Sequence, residues 1–368
     1  MKMITVDGKN SRPLFCTLCN IGNEMKEKAT IPYGMSEYCG YDSMIATYMK
    51  GEYPIMKLIP GVRLEDVPRI SGNWVKDSCS WLRKNARRID VLNIYILDRT
   101  AFFQALTYKL HNPKGKVYLR LEGWPTRKMS NFWKLIFHKM TLKMSYLVST
   151  EYKENVEMLS RDWHREIMYS CCPLNPNEIK DFRPYSERSN VIFTVGRLGT
   201  KQKATEILLE AFARVSDKIP SWTLKLTGRI MENTGLADDF YARHPELRER
   251  VNFTGPVMDR NEMTELYMDA KIFAFPSRWE SFCVTVNEAM MLGCFPVTTD
   301  ILGSRSATCG FKYGLGSEVD DIDGMAANLL HACTNEAECE RLAFEGRKAV
   351  IEALDLRRCC EDIAEGLS

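Results

Sequence analysis

Pro276-Ser-Arg-Trp-Glu280-Ser-Phe-Cys-Val-Thr-Val-Asn-Glu288-Ala-Met290 decides how this chain folds and what it holds. The stretch follows Lys271-Ile-Phe-Ala-Phe275, an apolar run with the composition of a buried strand. A helix is expected from about Thr285, with Glu288 in its first turns. Glu280 then sits on the loop joining strand to helix. Both carboxylates face the crevice above the carboxyl end of the strand, where open α/β sheets bind ligands. Two carboxylates there suit hydroxyl groups, such as those of a sugar and a ribose. The backbone N–H groups of Ser281, Phe282 and Cys283, near a helix N-terminus, suit a phosphate. A sugar nucleotide carries all three groups.

The flanking sequence repeats the strand–helix step. In the second half, strands are expected over 191–195, 223–227, 251–254, 271–275 and 294–298, with helices between them. In the first half, 89–96, 116–122 and 146–149 read as strands, and 81–88, 100–111 and the residues from 151 as helices. This alternation predicts parallel sheets with helices on both faces, the α/β class. A polar, proline-containing stretch at 181–190 reads as a linker, giving domains over 1–185 and 190–350.

The length of 368 residues fits two domains. The 45% hydrophobic and 27% charged contents are those of a soluble globular protein, and no apolar run approaches the roughly 18 residues of a membrane span. The N-terminus has no signal-peptide core, which predicts a cytoplasmic protein. The 13 scattered cysteines read as reduced, buried thiols. Residues 1–185 hold 29 lysines and arginines against 19 aspartates and glutamates, a net of +10; residues 186–368 hold 21 against 29, a net of −8. Halves of opposite sign suggest different partners.

Several further segments carry a resemblance. Val195-Gly-Arg-Leu198, Lys203-Ala-Thr-Glu-Ile-Leu-Leu-Glu-Ala211, Leu226-Thr-Gly228 and Val251-Asn-Phe-Thr-Gly-Pro-Val257 precede the Glu-x7-Glu stretch in order. Together, over about 190–350, they resemble the donor domain of retaining GT-B glycosyltransferases of family four, also called group 1. The resemblance implies two Rossmann-like doubly wound domains facing each other across a cleft. It also implies transfer of a hexose from a nucleoside-diphosphate sugar, with UDP favoured over GDP. By resemblance Arg197 and Lys203 meet the diphosphate, Gly196 lets the backbone approach, Glu280 holds the transferred sugar, Glu288 the ribose, and Val257 lies at the base. No metal, other cofactor or protein nucleophile is implied, because the leaving phosphate helps take the acceptor's proton. Ala204 and Cys283 depart from the pattern, Ala204 standing where glycine is usual and Cys283 where glycine or proline is common.

The first half matches the family less well and is expected to bind the acceptor, a glycan or lipid-linked sugar. Tyr33-Gly-Met-Ser-Glu-Tyr-Cys-Gly-Tyr-Asp42 reads as a glycine-bearing loop before a helix over 42–50, which makes Gly34 a candidate. The family's histidine after the strand at 91–96 is absent, so Asp98 and Arg99 become candidates for acceptor contacts. Residues 127–143 read as a basic amphipathic helix suited either to packing on the core or to an anionic membrane surface. The second use would place the protein on the inner face of the cytoplasmic membrane, in surface polysaccharide synthesis. A membrane surface is favoured over nucleic acid as partner of the basic half. The last segment, 351–368, is expected to form a helix that packs back on the first domain.

Asp321-Ile-Asp323 mimics a metal motif but reads as a helix cap. Cys16-x2-Cys19 lacks the second pair of a structural zinc site. Two rivals remain open: another GT-B nucleotide-sugar enzyme such as an epimerase or phosphorylase, and a non-catalytic sugar-nucleotide-binding subunit.

Overall fold

Two sheets, each built from parallel strand pairs, organise the chain. The structure is a computed structural model and describes residues 12–20, 26–122, 132–179, 183–231, 234–280 and 282–368. It divides into two units, Met1–Glu178 with Leu354–Ser368, and Ile179–Ala353.

In the first unit the chain runs β1 (Leu14–Leu18), α1 (Lys26–Tyr38), β2 (Asp42–Thr47), β3 (Arg63–Asp66), α2 (Trp74–Asn85), β4 (Val91–Tyr95), α3 (Arg99–His111), β5 (Lys116–Leu121), α4 (Phe132–Met144), β6 (Leu147–Thr150), α5 (Lys153–Trp163) and β7 (Met168–Tyr169). The sheet order is β3-β2-β1-β4-β5-β6-β7. The second unit continues with β8 (Ser189–Val195), α6 (Thr205–Val215), β9 (Thr223–Thr227), α7 (Leu236–Arg243), β10 (Val251–Gly255), α8 (Arg260–Asp269), β11 (Ala270–Phe275), α9 (Val284–Met291), β12 (Phe295–Thr299), α10 (Leu302–Ala307), β13 (Leu315–Ser317), α11 (Ile322–Thr334) and α12 (Glu336–Ala353). Its order is β10-β9-β8-β11-β12-β13. Finally α13 (Leu356–Gly366) belongs to the first unit. The fold is of the GT-B kind, with two Rossmann-like units.

The central strands are buried along their length, as expected where helices cover both sheet faces, whereas the edge strands β3 and β10 carry exposed polar residues. All six residues of β11 are buried. Polar residues mark the helix starts. Asp98, Asp259, Asp321 and Asp355 each accept a hydrogen bond from an N–H of the helix they precede. Asp321 is thereby committed to capping, and Asp323 pairs with Arg214. Tyr185, within the stretch read as a linker, is buried in the second unit's core.

Two expectations are corrected. Residues 42–47 form a strand, β2, paired on both sides by β1 and β3, rather than part of a helix. The glycine-bearing loop is instead the helix α1, which contains both Pro32 and Gly34. Proline and glycine disfavour a helix interior locally, and packing overrides them here. Gly34 therefore shapes no loop: it lets α13 press against α1. A Cβ on it would lie 2.5 Å from Cys360 Sγ and 2.8 Å from Leu356 Cδ1.

The last helix is tied down at both ends. Leu174 N donates to Leu354 O at 3.0 Å, and Lys116 Nζ donates to the carbonyl oxygen of Leu367. Gly34→Val should therefore overpack the contact between α1 and α13 and cost about 2 kcal/mol. Urea unfolding monitored by circular dichroism measures this. An unchanged midpoint would contradict the packing role.

Candidate active site

The second sheet reverses its winding between β8 and β11. From β8 the chain proceeds outward to β9 and β10; from β11 it proceeds the other way to β12 and β13. At such a switch point the loops leaving the two central strands separate and leave a crevice at their carboxyl ends. Here those loops are 196–204 and 276–283, and they carry most of the candidates.

Lys203 and Glu280 meet across this point. Lys203 Nζ lies 2.6 Å from Glu280 Oε1, with the two side chains 16% and 13% exposed. The ammonium also sits 4.8 Å from the centre of the Phe275 ring, an attractive cation–π placement. Gly196 makes room for the lysine stem: a Cβ there would lie 3.3 Å from Lys203 Cε. Behind it, a Cβ on Gly228 would fall inside the Gly196 carbonyl, so the neighbouring strand end also requires glycine.

Arg197 is exposed, and its Nη2 donates to Gln202 Oε1 at 2.7 Å. Gln202 Nε2 in turn donates to the carbonyl of Trp279 at 3.0 Å, linking Arg197 to the residue before Glu280. Ser281 lies outside the described residues. Phe282 is half-buried, and its carbonyl accepts from Asn287 Nδ2 at 3.2 Å. Cys283 is the last residue before α9 and is buried. Burial, then the Glu280 carboxylate, pushes its thiol up to about 12. It is therefore a neutral thiol at physiological pH and no nucleophile.

The two departures from the family pattern share a backbone conformation. Cys283 has φ 50° and Ala204 has φ 45°, both left-handed. Glycine adopts that conformation freely, and a side chain there costs roughly 1 kcal/mol.

Glu288 belongs to a second group. It is buried in α9; Arg260 Nη2 lies 3.3 Å from its Oε1, and Tyr267 OH donates to its Oε2 at 3.3 Å. Burial, then the Glu288 charge, raises the Tyr267 phenol well above its ordinary range, so it stays protonated and donates. Val257 is half-buried on the loop between β10 and α8, three residues before Arg260. The structure thus joins Lys203 with Glu280 directly and Arg197 through Gln202, and holds Glu288 in its own network with Arg260 and Tyr267.

In the first unit Asp98 and Arg99 have structural partners. Asp98 Oδ1 accepts from Ala101 N at 2.8 Å, capping α3, and the Arg99 guanidinium lies over the Phe103 ring at 5.5 Å. The switch point of this sheet falls between β1 and β4. There the structure gathers residues that had no sequence signal. Lys28 pairs with Glu122 at 3.0 Å and lies 5.1 Å from the Tyr95 ring centre. The next residue, Ile96, has φ 65°, an unusual conformation for a β-branched side chain. Ninety-four positions separate Lys28 from Glu122, so only the strand order shows that they meet.

All 13 cysteines are free thiols, and only Cys309 is exposed. Among the described residues no three His, Cys, Asp or Glu side chains are placed to hold a metal ion. No described helix is long and apolar enough to cross a membrane.

Residues 176–349 match the family described as Glycosyl transferases group 1. A phosphatidyl-myo-inositol mannosyltransferase of Mycolicibacterium smegmatis is 26% identical over 184 residues, 48% of this chain and 46% of that protein. The mannosylfructose-phosphate synthase of Agrobacterium fabrum is 22% identical over 308 residues, 74% of this chain and 67% of that one. The chain spans about half the length of the mannosyltransferase it matches. An Anabaena protein, HepE, solved in complex with UDP and glucose, superposes with a TM-score of 0.75 at 13% identity, covering 97% of this chain and 99% of that one. At that identity the likeness concerns the fold.

Proposed function

We propose that this chain, whose residues 176–349 form a group 1 glycosyltransferase domain, transfers a hexose from a nucleoside-diphosphate sugar with retention of anomeric configuration. The observation that carries the reading is the pairing of Lys203 with Glu280 at the switch point of the second sheet. Negative charge grows on the diphosphate as the glycosidic bond breaks. A fixed cation close to that oxygen stabilises the transition state more than the ground state. Lys203 supplies it, and Arg197, exposed on the same loop, adds a second cation. Glu280 accepts hydrogen bonds from hydroxyls of the transferred sugar, which orients the anomeric carbon beside the leaving group. Glu288 does the same for the ribose, held ready by Tyr267 and Arg260. Val257 meets the base through its backbone. The N–H groups of residues 281–283 complete the phosphate contact.

Attack comes from the face the diphosphate leaves, and the departing phosphate oxygen takes the acceptor hydroxyl's proton. Cys283, neutral and buried, is consistent with a route lacking a protein nucleophile. The metal-free reading is supported by the engagement of Asp321 as a cap and Asp323 with Arg214. UDP is favoured as the nucleotide, and HepE, solved with UDP and glucose, supports that choice. The acceptor is a glycan or lipid-linked sugar of a surface polysaccharide.

A peripheral membrane position is supported by α4. Phe137 stacks on Phe102 at 4.7 Å, fixing the inner face, while Leu135, Lys139, Met140 and Lys143 are exposed. Arg127 and Lys128, and the side chains of Trp133 and Lys134, lie outside the described residues. Exposed apolar and basic side chains together suit anionic lipid.

Two outcomes are expected. Glu280→Ala should lower transfer at least about a hundredfold, the loss of charge-assisted hydrogen bonds to the sugar, without changing the circular dichroism spectrum. Full activity in a folded variant would remove the central assignment. Lys139→Glu with Lys143→Glu should reduce co-sedimentation with anionic vesicles by about tenfold. Unchanged co-sedimentation would remove the membrane role and leave the transferase reading intact.

A further inference from the structure

Arg278 lies two residues before Glu280, at the edge of the site, and an arginine in that position invites assignment as a phosphate ligand. Its contacts say otherwise. Nη2 donates to Glu206 Oε1 at 2.7 Å and Nε to Asp320 Oδ1 at 2.6 Å. Nη1 donates to the carbonyl of Lys201 at 2.7 Å, and the backbone N–H of Arg278 donates to the carbonyl of Gln202 at 2.8 Å. Two carboxylates therefore flank the guanidinium charge, and its fork is committed in three directions. A phosphate would have to displace partners already in place.

The partners are not scattered. Lys201 and Gln202 immediately precede Lys203, and Arg278 and Trp279 immediately precede Glu280. Gln202 returns the contact through its side chain to the Trp279 carbonyl at 3.0 Å. Glu206 anchors the same arginine to the first turn of α6, and Asp320 anchors it just before α11. Two loops from different strands are thus bonded to each other at the residues just before the pair that must meet.

We propose that Arg278 is a positioning residue that sets the register of the loops after β8 and β11, so that Lys203 and Glu280 stand ready for the diphosphate and the sugar. The inference rests on the reading of Lys203 as a diphosphate ligand. The physical need is clear. Lysine is a point charge on a flexible four-carbon stem, and its placement depends on the backbone that carries it. A displacement of about 1 Å at a reacting centre can cost about a hundredfold in rate. Only arginine can do this: a lysine at 278 could meet one carboxylate but not hold two carboxylates and a carbonyl in one plane.

The test is a double-mutant cycle on nucleoside-diphosphate affinity, measured by calorimetry with UDP and GDP well below the unfolding temperature. The variants are Arg278→Lys, Lys203→Met and the two combined, with Arg278→Met as a stronger form and circular dichroism to confirm folding. Arg278→Lys should weaken binding of the diphosphate by about tenfold in the wild-type background and by less than about twofold beside Lys203→Met. A contribution to stability alone would lower the unfolding temperature and leave the affinity unchanged. If Lys203→Met weakens binding but Arg278→Lys does not, the positioning role fails and the functional reading stands. Equal losses in both backgrounds would also overturn it, since Arg278 would then act independently of Lys203. If Arg278→Met does not fold, Arg278→Lys, which keeps the charge, carries the test. If the wild-type protein binds neither diphosphate, the functional reading itself fails.

Discussion

A charge pair at the reversal of a parallel sheet organises the second unit. Lys203 and Glu280 are 77 residues apart, yet they meet because β8 and β11 are neighbours while the chain winds away from each in opposite directions. Neither side chain is well solvated, and withdrawing such charges from water is costly unless they are paired. Each satisfies the other. In the proposed function, the diphosphate and sugar hydroxyls of a sugar nucleotide would offer both a further partner.

What holds the pair is rigid. β8 and β11 lie in the interior of a buried sheet, with Ile192, Phe193, Ile272 and Phe273 fully enclosed. The strand ends are glycine at 196, beside the Lys203 stem, and at 228, where the Gly196 carbonyl crowds the backbone. Ala204 and Cys283 each hold a left-handed conformation just before a helix that starts from the site. Two side-chain positions are strained where the loops turn into helices, a pattern common where geometry serves binding more than stability. Glu288, by contrast, is stationed on a helix, and its partners Tyr267 and Arg260 come from the neighbouring α8.

The legible and illegible parts of the fold differ for identifiable reasons. The strands at 191–195 and 271–275 could be read because a strand covered on both faces is a continuous apolar run, bounded by glycine or proline. Asp321 could be read as a cap because capping needs only residue type and position relative to a helix start. The helix α1 could not, since Pro32 and Gly34 are local signals against a helix, and what overrides them is a helix more than 300 residues later in the chain. The strand β2 was equally hidden, because Ser43-Met-Ile-Ala-Thr47 offers only three apolar residues in a row, and Met44 and Ala46 favour a helix locally. Among the site residues, Lys203 and Glu280 stand in recognisable segments. Arg278 works through backbone carbonyls and through carboxylates 72 and 42 residues away, which no local pattern announces. The Lys28–Glu122 pair in the first unit is invisible for the same reason.

The most direct test of the central claim is a thermal-shift series on the wild-type protein with UDP, GDP, dTDP, CMP and their common sugar conjugates, each with and without EDTA. A ligand that binds only the folded state raises the unfolding temperature in proportion to its affinity and concentration. The account predicts stabilisation by one nucleoside diphosphate, UDP ahead of GDP, undiminished by EDTA. Stabilisation by none of them, or only in the presence of a divalent metal, would contradict a metal-free diphosphate site built on Lys203 and Glu280.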